Sequence, residues 1–309
     1  GMQSEQVVDA GVQLSGVRPA AISLRNLRVT YGRFEAVKGI SLDIPEGEVF
    51  GFIGPNGAGK SSTFRVLATL QPKFQGQAYV CGLDVLRQPQ KVRDVMGFVP
   101  DFFGVYEDLT SLEYLHFFAA AYRIPTAKRK GTIDDVLTLT DMTHKAHSPV
   151  DGLSRGMKQR LALARVLLHD PKVLLLDEPS SGLDPRARIE MRELLKALRE
   201  MGKTILISSH ILSELAQLCT RIGIIELGRM VAEGSLNEIY RQLQLMRVVH
   251  IRADNAGPEL LEKVRAIPGV ESIEQQVDRW ALRLREEELS RSEKRRVGKE
   301  CRSRWSPYH

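Results

Sequence analysis

Cysteine is scarce in this chain of 309 residues. Cys81, Cys219 and Cys301 stand far apart, with no C-x-x-C pair and no histidine at metal-ligand spacing. Neither a disulfide framework nor a zinc site follows from that usage, and a reducing, cytosolic compartment is expected. Long apolar runs are absent too. The most apolar stretches, residues 173–176 and 205–207, are only strand length, against the roughly 18 residues needed to span a bilayer. The first twenty residues carry acids and no continuous apolar core, so no signal peptide is read there. A chain of this kind would serve a membrane from its cytosolic side. There is no internal repeat and no low-complexity segment.

Charge of one sign is not spread over the chain. The formal charge is +6, yet residues 291–309 hold seven Lys/Arg against Glu293 and Glu300, which leaves +1 for residues 1–290. A basic total ordinarily raises nucleic acid as a partner; here the excess lies at one end. That end, R-S-E-K-R-R-V-G-K-E-C-R-S-R-W-S-P-Y-H, has no apolar periodicity and resembles the conceptual translation of a sequencing-adaptor read, with Lys294 the one apparent difference. The expectation is a non-native tail, with the biological sequence stopping near Ser290 and the gene continuing elsewhere. Gly1 ahead of Met2 reads as a fragment edge or a cloning scar, and residues 1–20 as a flexible N-terminus.

What is present is alternation of strand and helix. Residues 21–31 alternate apolar and polar, and residues 48–53 form a more buried strand before a glycine-rich loop. A helix opens at Lys60 and stops before Gln71-Pro72; a short strand is expected at 78–80, a helix at 90–96 and a strand at 97–100. Residues 108–143 turn helical and read as an insertion. Strands at 172–176, 204–208 and 222–227 alternate with helices at 185–200 and 211–218. That order argues an α/β domain built on a mainly parallel sheet covered on both faces. After Leu243 the register changes to a small β-α-β-β unit: strand at 248–252, helix at 258–266, strands at 270–275 and 281–285.

Three strings carry chemistry. The first, Gly54-Pro55-Asn56-Gly57-Ala58-Gly59-Lys60-Ser61 followed by Ser62, sits between a predicted strand and a predicted helix. Glycines there let backbone N–H groups turn inward around phosphate oxygens, and the helix adds its positive end. Lys60 is placed to reach β and γ phosphates, and Ser61 to offer a hydroxyl to magnesium. In the second string, Asp177 and Glu178 end a buried strand, where ligands of open α/β sheets bind. One carboxylate there can hold the magnesium shell and its neighbour can polarise the attacking water. Asp184 before Pro185 also reads as a helix N-cap with proline at the first helical position. The third string is Leu153-Ser154-Arg155-Gly156-Met157, in which Ser154 can cap a helix over residues 155–168 and leave an anion-attracting N-terminus.

With these motifs in this order and spacing, residues 21–243 resemble the ATP-binding cassette (ABC) family of ATPases. The match is to the nucleotide-binding subunits of transporters, in the exporter-like ABC-2 type subgroup. The resemblance implies a P-loop fold with an antiparallel β subdomain and a helical signature subdomain over about 101–168 beside the parallel core. Residues 245–290 would then be a small accessory domain. It implies ATP and Mg2+ as cofactors, with Ser154 and Gly156 as the signature that contacts the γ-phosphate held by a second subunit, homologous or identical. It makes Glu178, His210 and Lys60 the catalytic set, Tyr31 the aromatic on which adenine stacks, and Ser61, Asp177 and Asp101 the metal-side residues.

Two departures stand out. Asp101 replaces the family's glutamine, and Arg155 and Met157 replace the usual glycine and glutamine of the signature. An ionised aspartate binds a metal-held water but donates no hydrogen bond. The function so implied is the ATP-hydrolysing subunit of an exporter. It would lie peripherally on the cytoplasmic face of the cell membrane and drive a separate polytopic permease, with no direct nucleic-acid partner. The alternatives are a soluble cassette ATPase working on nucleic acid or ribosomes, and a module that senses ATP without turnover.

Overall fold

The computed structural model describes residues 18–244, 247–251, 258–267, 270–276 and 279–284. The tail 291–309 and most of the N-terminal stretch lie outside the described residues. The chain divides into two compact units, with the boundary between Glu233 and Gly234.

The first unit opens with two long antiparallel strands, β1 (Ala20–Tyr31) and β2 (Phe34–Pro45), followed by β3 (Val49–Ile53). Every residue of β3 is buried, as expected of a strand covered on both faces. Helix α1 (Lys60–Leu67) follows, then β4 (Gln75–Val80), β5 (Leu83–Asp84), α2 (Pro89–Val95) and β6 (Met96–Val99). The helical insertion comprises α3 (Ser111–Ala121), α4 (Thr126–Leu139) and α5 (Arg155–Leu167). The chain returns to the sheet through β7 (Val173–Leu176), α6 (Pro185–Glu200), β8 (Thr204–Ser209), α7 (Leu212–Leu215), β9 (Arg221–Glu226) and β10 (Arg229–Ser235).

Two sheets result. One is antiparallel with order β2-β1-β4-β5; the other has order β10-β9-β3-β8-β7-β6, and its pairs from β9 through β6 are parallel. The two share one core: Phe64, Val66 and Leu67 of α1 pack with Ile22, Leu24 and Ile40 of the first sheet and with Phe50, Phe52 and Leu175 of the second. Because the strands of the larger sheet run the same way, their C-terminal ends gather at one edge, the side on which open α/β sheets bind ligands. Helix starts are fixed by sequence: Thr110 and Glu113 form a capping box on α3, Ser154 caps α5 through Met157 N, and Asp184 caps α6 through Ala187 N.

The expected α/β architecture is present, with differences in detail. Strand β2 is not marked in the sequence reading, because β-bulges between it and β1 interrupt the period of two. Helix α1 ends at Leu67, where Thr69 takes φ 65° and turns the chain before Pro72. The helix expected over 211–218 shortens to α7.

In the second unit, α8 (Leu236–Gln244) precedes β11 (Arg247–Ile251), α9 (Pro258–Arg265), β12 (Val270–Gln276) and β13 (Arg279–Leu284). The three strands form an antiparallel sheet of order β11-β13-β12, the β-α-β-β arrangement read from the sequence.

Candidate nucleotide-binding site

The loop between β3 and α1 bends back on itself. Gly59 takes φ +104°, and a Cβ there would stand 2.6 Å from the Ala36 carbonyl oxygen, so only glycine fits. With no acidic side chain in the first turn of α1, the positive end of that helix stays open toward the cavity beside it. The cavity holds about 180 Å³ and is lined by Asn56, Gly57, Gly59, Lys60, Ser61 and Ser62 of this loop and helix. Tyr31, Phe34 and Ala36 of the β1–β2 hairpin complete one wall, and Asp101, Asp177 and Glu178 the other.

Lys60 is only 5% exposed, so its charge needs partners. Its Nζ donates to the carbonyls of Gly54 at 2.7 Å and Ser209 at 3.1 Å, and to Glu178 Oε1 at 2.8 Å. The other Glu178 oxygen lies 3.1 Å from His210 Nδ1. Glu178 reaches both Lys60 and His210 from a backbone with φ +49°, a left-handed conformation that costs a non-glycine residue about 1–3 kcal/mol. Its N–H donates to Ser208 Oγ at 2.9 Å, which anchors the strained position.

Asp177 faces hydroxyls instead. It accepts from Ser208 Oγ at 2.6 Å and from Ser61 Oγ at 3.0 Å. Burial lifts its carboxyl above the ordinary range, the two hydroxyls oppose that rise, and the charges of Asp101 and Glu178 add to it. Ser61 and Asp177 thus converge as the hard oxygen donors a magnesium ion takes, beside a cationic, glycine-lined cradle of the kind that takes phosphates.

The structure therefore brings together Lys60, Ser61, Asp177, Glu178 and His210, with Asp101 on the cavity wall. Tyr31 stands at the mouth, its hydroxyl donating to Ser62 Oγ at 3.2 Å. Gly54, Pro55 and Ala58 shape the loop without lining the cavity, while Ser154 and Gly156 lie outside it at the start of α5. The sequence reading missed Ser208, Ser209 and Phe34. Ser208 joins the site because β8 runs parallel beside β7, and Ser209 because β8 runs parallel beside β3.

Comparison with known proteins bears on this arrangement. A family model described as ABC transporter matches residues 37–181. The linearmycin resistance ATP-binding protein LnrL of Bacillus subtilis (strain 168) is 32% identical over 252 residues, covering 82% of this chain and 81% of the relative. This chain is an ABC transporter family protein. The Nod factor export ATP-binding protein I of Rhizobium meliloti is 36% identical over 252 residues, 80% of this chain and 75% of that one. Among solved structures, the dimeric structure of MJ0796, a bacterial ABC transporter cassette, superposes with a TM-score of 0.63 at 30% identity, covering 70% of this chain and 98% of that cassette. The fold is accordingly that of the ABC ATPase. The cassette is an ATP-binding subunit whose class hydrolyses ATP in step with transport.

Proposed function

We propose that this cassette drives an exporter by ATP-dependent pairing with a second ATP-binding subunit. The observation that carries the reading is the convergence of Lys60, Glu178 and His210 beside the glycine loop while Ser154 and Gly156 stand apart on α5. In this reading Lys60, the loop residues 54–62 and Tyr31 hold the triphosphate and the base. Glu178 takes a proton from the attacking water, and His210 orients Glu178. Magnesium, held by Ser61 and Asp177 with Asp101 on its water shell, would neutralise phosphate charge and fix its geometry. Among the described residues no group of three or more His, Cys, Asp or Glu is gathered for a metal, so phosphate and water would complete the shell. Ser154 and Gly156 would meet the γ-phosphate of the other subunit's nucleotide, which makes the working unit a head-to-tail pair.

A permease partner is supported by the surface next to Asp101. Phe102 is 70% exposed, Val105 71% and Phe117 61%, three exposed apolar side chains on α3 and the loop that leads into it. Among the described residues no helix is long and apolar enough to cross a membrane, so the spanning part belongs to another segment or another chain. The cassette would lie on the cytoplasmic face. The export direction rests on the Nod factor export relatives, and residues 245–290, which fall within the second unit, are read as an accessory domain of such a cassette. Affinity capture from membranes with the tagged chain, with and without ATP, tests this. Recovery of a polytopic protein that alters the ATPase rate is expected; recovery of only ribosomes or nucleic acid would overturn it.

A further inference from the structure

Arg155 opens α5, at the end of a helix where the macrodipole disfavours a cation. The first turn carries no acidic side chain, and among the described residues Arg155 forms no ion pair. Its guanidinium closes instead on Gly182. A Cβ built on Gly182 would stand 2.9 Å from both Cζ and Nε of Arg155 and 3.1 Å from Nη1. Gly182 also takes φ +70°, which favours a bare backbone, and the exposed arginine lies against it.

That loop is a short hydrogen-bonded connection behind the site. Ser181 N donates to the Glu178 carbonyl at 3.1 Å, and Leu183 N to the Ser180 carbonyl at 3.3 Å, before Asp184 caps α6. The neighbouring contacts run the same way. A Cβ on Gly156 would lie 3.3 Å from Ala187 Cβ and 3.8 Å from Leu183 Cδ2, and further along α5 Arg160 pairs with Glu190 of α6. The turn carrying Ser154 and the loop leading from Glu178 are therefore in contact along one seam, with Arg155 as the link nearest Glu178.

We propose that Arg155 is a positioning residue that couples the Ser154 turn to the loop behind Glu178. The half-site offered to a second subunit's nucleotide and the carboxylate serving this subunit's own nucleotide then shift together. The inference rests on the roles given above to Ser154, Gly156 and Glu178. It gives the long planar side chain at position 155 a role: its guanidinium lies against Gly182, and a lysine lacks that planar fork.

A double-mutant cycle on the full chain tests the coupling, with R155G, G182A, the R155G/G182A pair and R155K read by the Hill coefficient of ATP hydrolysis and by kcat. The wild type should show a Hill coefficient of about two, and R155G a value falling toward about one. R155G should also lower kcat about five- to tenfold without changing ATP affinity measured on the isolated subunit, and R155K should not rescue it. G182A, whose methyl would displace the guanidinium and strain the backbone at φ +70°, should lower the Hill coefficient and kcat at least as far as R155G, and its fold-effect should be smaller in the R155G background than in the wild type. Equal fold-effects of G182A in the wild-type and R155G backgrounds would overturn the coupling, as would an unaltered Hill coefficient in R155G and R155K, which hold should G182A fail to fold. Glu178→Gln, with Arg155 intact, separates the two levels: if it forms no ATP-dependent dimer, the two-subunit reading falls and the coupling with it, whereas a dimer with additive variants sinks only the coupling.

Discussion

Lys60 and Glu178 hold each other at 2.8 Å inside the cavity that would receive the triphosphate. In the reading proposed above, Lys60 meets phosphate and Glu178 meets water, so a bound triphosphate would compete with Glu178 for the same ammonium.

Replacing Glu178 with Gln keeps the shape and removes the charge. ATP affinity should rise severalfold because Lys60 loses its competitor, while turnover should fall at least about 100-fold through loss of the base. Nucleotide binding and single-turnover hydrolysis check both halves; an unchanged hydrolytic rate would remove Glu178 from its role.

Lys60→Ala leaves the Glu178 carboxylate with only His210 opposite it. The nucleotide-free protein should lose on the order of 2–3 kcal/mol, since truncating one partner of a buried pair strands the other. ATP binding should disappear in the same variant. A thermal melt without nucleotide, set beside an ATP titration, gives both readings.

Tyr31 separates ring from hydroxyl. Tyr31→Phe removes the bond to Ser62 Oγ and keeps the aromatic face, so KM for ATP should stay near the wild-type value. Tyr31→Ala should raise KM about tenfold with kcat nearly unaltered, the size expected for one lost stacking contact. A fall in kcat alone would place the tyrosine elsewhere in the cycle.

His169 gives the fold a pH response away from the nucleotide. It stacks on Tyr122 with ring centroids 4.3 Å apart and lies 2.9 Å from the Met96 carbonyl, the bond of a neutral ring donating through Nε2. Burial pushes its pKa below the ordinary histidine value, chiefly because the charged form is desolvated. The unfolded chain therefore binds the proton first. Stability is complete above the ordinary value of about 6.5 and is lost as pH falls through it toward the folded value. Melting temperatures at pH 8 and pH 5.5 should diverge less in His169→Gln, which keeps a donor for Met96 without the titration; an equal divergence would assign the acid lability to other groups.

The parts of the site that lie within one short string were legible in the sequence, because residues 54–62 and Asp177-Glu178 carry their geometry with them. His210 and Tyr31 were placed by context, since each ends a strand of recognisable pattern. Ser208 was not. It gives its hydroxyl to Asp177, 31 residues away in the chain, and that meeting depends on β7 and β8 lying side by side. Strand β2 escaped for a different reason: its buried residues Ile40, Leu42 and Ile44 alternate, but the period breaks at Ala36, Val37 and Ile40, where bulges against β1 shift the register. Periodicity reports regular pairing, and this hairpin is irregular where it approaches the site.

The left-handed turn at Glu178 has one more consequence. Two adjacent carboxylates would ordinarily repel and tend to share a proton, which blurs which one is charged. Here the turn aims Asp177 at two hydroxyls and Glu178 at the Lys60 ammonium and the His210 ring, so each carboxylate has its own partners. The two neighbours are thus sorted by the company they keep, oxygen for Asp177 and nitrogen for Glu178, while the charge of Glu178 still bears on Asp177.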